Sequence, residues 1–183
     1  TKKLGMGILI PAFAKLKKKM KKISTFILLA ALTLSFSACS SNDDNVVIDT
    51  EKPTITSEGI VAMPINCQTY ELGSEIPVRY ILKDNVELGN YNIEIHNNFN
   101  HHTHSTDAGD CKLDPMKDAA ANVWVFNHDY TIPAGSKTYK IEENIKIPAD
   151  RQPGDYHFMI RFTDAAGHQE LKAVSIKLIK PVV

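Results

Sequence analysis

The sequence predicts an all-β protein, a two-sheet sandwich of seven short strands, and three observations carry that expectation. From Pro53 onward the apolar residues alternate with a period of two, Pro, Gly, Asn and Asp interrupt the chain every ten residues or so, and no stretch has a helical period. The first strand reads as residues 54–57, the second as 75–83 and the third as 90–97. After a long insertion come a fourth at 122–130, a fifth at 138–147, a sixth at 155–163 and a seventh at 170–179.

Period two assigns the faces, because successive side chains of a strand point to opposite sides. Ile76, Val78, Tyr80 and Leu82 share one face of the second strand, and Tyr91, Ile93 and Ile95 share one face of the third. Tyr156, Phe158, Ile160 and Phe162 do so in the sixth, Val174, Ile176 and Leu178 in the seventh, while Trp124 and Phe126 add bulk from the fourth. Pro153-Gly-Asp-Tyr156 has the form of the tyrosine corner of immunoglobulin-like sandwiches, and Asp164-Ala-Ala-Gly167 that of their last turn. The expected fold is therefore an immunoglobulin/fibronectin-like seven-stranded β-sandwich spanning residues 53–183. Phe99 is taken as the main aromatic off the core parity.

What precedes the sandwich reads as an address. Lys15, Lys17, Lys18, Lys19, Lys21 and Lys22 form a basic region, and an apolar run from Phe26 to Leu34 follows, ending in Ser35-Phe-Ser-Ala-Cys39. That run is shorter than the roughly 20 residues a membrane-spanning helix needs, so it reads as a cleaved export signal. Ser-Ala-Cys at its end resembles the lipobox of bacterial lipoproteins, which makes Cys39 the lipidated first residue of the mature chain. The alternative is an ordinary secretory signal. Met20-Lys-Lys22 would begin a signal of ordinary length, leaving 1–19 as upstream sequence. Residues 39–52 read as a flexible tether, its stretch Ser40-Ser-Asn-Asp-Asp-Asn45 being polar and without aromatics. The acidic pair Asp43-Asp44 in that tether resembles a surface-export signal of some Gram-negative lipoproteins.

Cutting before Cys39 changes the charge. The removed segment holds eight Lys and no acid, so a chain with 21 basic and 21 acidic residues becomes one of net charge −8. Such a domain is a poor binder of nucleic acid, which needs clustered Lys and Arg to neutralise phosphates. The expected attachment is to the outer membrane through the lipid, facing the periplasm or the cell exterior. With Cys39 acylated, Cys67 and Cys111 remain, and in an oxidising compartment they most simply form a disulfide. Two thiolate metal ligands are the alternative.

Chemistry concentrates in the insertion after the third strand. His96, His101, His102 and His104 are four of the seven histidines and fall within nine residues, with Asp107 and Asp110 behind them. Imidazole is a good ligand for zinc or copper, and several on one loop can converge on one ion. The third and sixth strands of such a sandwich are antiparallel neighbours. His96 and His157 both lie on outward faces, so the two can sit side by side. With two of His101, His102 and His104 folding over them, they would build a site of three or four nitrogens, braced by Cys67 and Cys111. A solvated polar loop is the alternative reading. His128 shares parity with Trp124 and Phe126 and is expected to be partly buried; His168 is expected to be exposed in its turn. Asp49, Glu51, Asp84 and Asp164 should gather at the other end, where oxygens could bind calcium, although turn capping explains them more simply.

The segment His96-x-x-Phe-x-His-His-x-His-Ser105, the later Gly154-Asp-Tyr-His-Phe158 and the pair Cys67 and Cys111 together resemble an uncharacterised family of bacterial lipoproteins with one immunoglobulin-like domain. The resemblance covers nearly all of residues 52–178 and implies fold and location, with no established activity. That family often has Asp where this chain has Asn100. No catalytic motif of the G-x-S-x-G or H-E-x-x-H kind occurs, so the sequence reads as a protein that binds and is not an enzyme. A transition-metal site is the first reading. A metal-independent adhesion or accessory subunit of a surface nutrient-uptake complex, partnered by an outer-membrane transporter, is the second.

Overall fold

The computed structural model describes residues 48–104, 111–119 and 122–182. Cys39, the signal and the polar stretch to Asn45 lie outside them, as do Ser105, Asp107 and Asp110.

Among the described residues the chain is all-β, with eight strands: β1 (Thr54–Thr56), β2 (Gln68–Glu71), β3 (Glu75–Lys83), β4 (Leu88–Asn97), β5 (Phe126–Thr131), β6 (Thr138–Lys146), β7 (Gly154–Asp164) and β8 (Gln169–Ile179). They form a three-stranded sheet, β1-β3-β6, and a five-stranded sheet, β2-β8-β7-β4-β5. The inward residues expected from period two meet between the sheets. Ile76, Val78, Tyr80 and Leu82 of β3 are buried against Tyr91, Ile93 and Ile95 of β4 and the β7 and β8 sets, with Trp124 joining them. Phe126 packs at the edge, partly buried.

Two differences from the expected strands concern the larger sheet. β2 was not foreseen: Gln68-Thr-Tyr-Glu71 is polar apart from Tyr70, and what orders it is parallel pairing with β8, from Gln68 opposite Ile176 to Glu71 opposite Ile179. The strand expected over 122–130 begins only at Phe126 and forms the edge beside β4. His128, expected to be partly buried, is exposed there, because an edge strand has no neighbour to cover its far side.

The tyrosine corner is formed. The Tyr156 hydroxyl donates to Gln152 O at 2.7 Å and accepts from Trp124 N at 3.3 Å. Phe99, taken above as lying off the core, is 2 % exposed and meets Tyr156 edge to face at 5.5 Å. The reason is that β4 parity runs on past its end: Asn98 N still bonds Asp155 O at 2.8 Å, so residue 99 falls on the same side as Tyr91, Ile93 and Ile95.

β7 carries the clue to the site. A strand with one face to solvent should alternate in burial, and β7 does so only from Arg161 onward; from Gly154 to Ile160 every residue is buried. The insertion between β4 and β5 lies over that half of its outward face. Lys117 ties the cover down, donating from N to Phe99 O at 3.0 Å and from Nζ to Pro153 O at 2.9 Å. Gly154 allows this approach: its φ is +142°, and a Cβ there would fall 2.7 Å from both Lys117 Nζ and Phe99 Cε1.

Candidate metal centre

β4 and β7 pair antiparallel with His96 directly opposite His157. The side-by-side placement expected from parity is thus present, their rings 5.6 Å apart. From the following loop His102 and His104 fold onto them. His96 Nε2 lies 3.2 Å from His102 Nε2 and 3.0 Å from His104 Nε2. One ring nitrogen from each of His96, His102 and His104 lies within 4.8 Å of the others, and all three residues are half-buried. These three could hold a metal ion.

The spacing suits a small divalent ion. A zinc–nitrogen bond of about 2.0–2.1 Å gives a tetrahedron with edges of about 3.3 Å, close to the two nitrogen separations above. The far side of two rings is already supported. His96 Nδ1 lies 3.0 Å from Glu94 Oε1, and His102 Nδ1 lies 2.6 Å from Asn100 Oδ1. A carboxylate or carbonyl on one imidazole nitrogen fixes the tautomer and leaves the other nitrogen's lone pair facing inward, as in carboxylate–histidine–metal arrangements.

Electrostatics favours the neutral, coordinating form. Burial lowers the His96 pKa; Glu94 opposes this in part, and His104 adds to it. Burial likewise lowers His102, helped by the neighbouring His104 and His96. His157 is pushed down to about 4, first by burial and further by its three histidine neighbours, with its bond to His102 O working the other way.

His157 and His101 have different positions from these three. His157 is 1 % exposed and its rings meet those of His104 at 4.7 Å and His102 at 5.0 Å, while its Nε2 lies 3.1 Å from His102 O. It holds the loop that carries the other two. His101 turns away, with φ +55° and its Nε2 2.9 Å from Asp114 O. Of the three loop histidines, two join the cluster and His101 fastens the outgoing leg of the insertion to the returning one.

That returning leg is the rest of the support. Cys67 and Cys111 form a disulfide with Cα atoms 5.3 Å apart, closing 44 residues; in the chain-entropy model a loop of that length is worth about 4 kcal/mol. Asp114 N donates to Asp155 Oδ2 at 2.7 Å, and Lys177 Nζ reaches Asp114 Oδ1 at 2.7 Å and Asp155 Oδ1 at 3.3 Å. Asp155 is 3 % exposed, so its charge is stable there only because these partners surround it. Sequence reasoning missed Glu94, Asp114, Asp155 and Lys177, and marked Asn100 only through the family resemblance. Glu94 was within reach, since it lies two residues before His96 on the same outward face.

At the opposite end Asp49 and Asp164 do come together, joined by His168, while Glu51 is exposed and Asp84 is not part of the group. His168, expected to be exposed, is half-buried: its N donates to Asp164 Oδ1 and its Nδ1 lies on Asp164 Oδ2, both at 2.8 Å. Asp84 caps its turn, Oδ1 accepting from Val86 N at 2.8 Å and Glu87 N at 2.6 Å.

A family model described as a domain of unknown function (DUF4625) matches residues 37–179, and the chain belongs to that family. No curated protein matches it.

Proposed function

We propose that this member of the family binds a transition metal, zinc or copper, through His96, His102 and His104, and carries it on an exported lipoprotein. The observation that supports the reading is the convergence of three imidazole nitrogens, with the opposite nitrogens of His96 and His102 lying against Glu94 and Asn100. His96 and His102, held in the neutral form by their lowered pKa, need lose no proton to coordinate near neutral pH. Three protein ligands leave a fourth position open. In a carrier that position is where a donor or acceptor ligand enters during transfer.

The location is part of the same proposal. A lipid on Cys39 would tether the domain to the outer membrane, and the polar 40–45 stretch would let it reach an outer-membrane transporter or surface complex. The net charge of −8 left after cleavage draws cations toward the site at long range. The metal-independent adhesion reading needed an exposed aromatic platform, and its main candidate, Phe99, is buried.

Calorimetry with zinc and with copper tests the proposal. Binding tighter than about 10 μM, a free energy beyond about −7 kcal/mol, is expected for the native protein, and its loss is expected in His102→Ala/His104→Ala. Binding that survives that double substitution, or none in the native protein, defeats it. His128→Ala, exposed on the edge strand β5 and outside the cluster, serves as the control and should bind as the native protein does.

A further inference from the structure

We infer that the Cys67–Cys111 disulfide is a site of thiol–disulfide exchange, and that its reduction by a dithiol frees the insertion carrying His102 and His104. Only the last step, a change in metal affinity, rests on the function proposed above.

The bond is open to attack. Cys67 is exposed and Cys111 half-buried. Both form the wall of a cavity of about 290 Å³ also lined by Lys112 and Lys177. The same wall carries Lys112 and Lys177 together with Asp155, and positive charge near a sulfur lowers the pKa of the departing thiol and speeds its loss. Lys177 is already paired with Asp114 and Asp155, so Lys112 is the cation best able to serve.

The exchange balances as a two-electron transfer. One thiolate of the dithiol bonds to a protein sulfur as the Cys67–Cys111 bond breaks; the bonding pair leaves on the other sulfur, which takes up a proton. The second thiol of the reductant then displaces the first sulfur. The dithiol ends as a disulfide, and Cys67 and Cys111 end as two thiols.

The consequence reaches the histidines through the contacts of the returning leg. Cys111 opens the returning leg, three residues before Asp114, whose carbonyl holds His101 Nε2 at 2.9 Å. His101 adjoins His102, one of the three converging rings. Without the covalent tie the leg keeps only its hydrogen bonds and the Lys177–Asp114 pair, the latter half in solvent and of small worth.

Dithiothreitol as the probe tests this on metal-free native protein, with thiols trapped by iodoacetamide and counted by mass. The expected result is labelling of Cys67 and Cys111 at a rate proportional to dithiothreitol, slowed severalfold in Lys112→Gln. Labelling at a rate independent of dithiothreitol means exchange only through global unfolding and overturns the proposal. Trypsin should then cut after Lys112 or Lys117 at least fivefold faster in the reduced, alkylated protein; equal rates also overturn it. Zinc should bind the reduced, alkylated protein at least tenfold more weakly than the oxidised one, with Cys67→Ser/Cys111→Ser as an independent comparison, and equal affinity counts against the release. If the oxidised protein takes up no zinc, the metal reading fails, and the exchange is decided by the labelling and trypsin results alone.

Discussion

The two ends of the sandwich each gather three groups of metal-ligating type, and they differ in where those groups direct their donor atoms. At one end, Asp164 spends both oxygens on His168, and Asp49 Oδ1 accepts Glu51 N at 3.1 Å. At the other, the nitrogens of His96, His102 and His104 point at one another while Glu94 and Asn100 hold the far sides of two rings. The acidic end is a self-capped turn; the histidine end is a cluster in which one ring nitrogen from each of three residues converges. Ligating residue types therefore mark a site where their donor atoms converge on one another, and not where they cap a turn.

The largest expected effect breaks the contrast outright. His102→Ala/His104→Ala should cost at least about 1000-fold in zinc affinity, roughly 4 kcal/mol, whereas Asp49→Ala should leave it unchanged; titration calorimetry on both variants decides. A comparable loss from Asp49→Ala would put the metal at the wrong end.

Acid should separate the two ends by pH. The unfolded chain protonates its histidines near 6.5, but folded His157 does so only near about 4. Its share of stability is present above pH 6.5 and is lost as pH falls toward 4, by up to about 3 kcal/mol. His96 and His102, also lowered, act with the same sign. Asp164 is opposed by burial, yet the ring and backbone N–H of His168 and the N–H of Gly167 hold its carboxyl below the usual range. Its contribution is present above the ordinary carboxylate pKa and is lost only below it. Urea unfolding of the metal-free protein from pH 7 to 3 should show two declines, with the upper one reduced in His157→Gln and the lower one in Asp164→Asn.

A smaller effect sharpens the role of the outer contacts. Glu94→Gln should weaken zinc binding by about tenfold, the low end for removing a carboxylate behind a ligating histidine. Smallest of all, Asn100→Asp should tighten binding a few-fold, since a carboxylate raises the basicity of His102 more than an amide does. Competition against a chelating dye resolves both, and an affinity unchanged in Glu94→Gln would reduce that residue to a bystander.

Much of the architecture was legible in the residues. Alternation located seven of the eight strands and most of the core, though not Ile141, Ile145 and Ile147 along β6 and its end, and parity with strand adjacency put His96 beside His157. Phe99 was readable too, for it shares the odd parity of Tyr91, Ile93 and Ile95, but it lies beyond the strand end, where the pattern was not carried on. β2 was hidden for a different reason: Gln68-Thr-Tyr-Glu71 has one inward residue, and its order comes from a parallel partner more than 100 residues away.

The sequence by itself determined what depends on near neighbours along the chain. The face each strand buries, the tyrosine corner and the presence of two cysteines and a histidine run at one end all follow from spacing, because strand geometry sends alternate residues to alternate sides. Only the tertiary structure decided which loop histidines converge. His101, His102 and His104 are chemically equivalent and nearly adjacent; Asp114 O claims the first, while Asn100 and the His157 contact to the loop carbonyl turn the others inward. That choice rests on hydrogen bonds between segments up to 55 residues apart, formed only once the insertion has closed over β7.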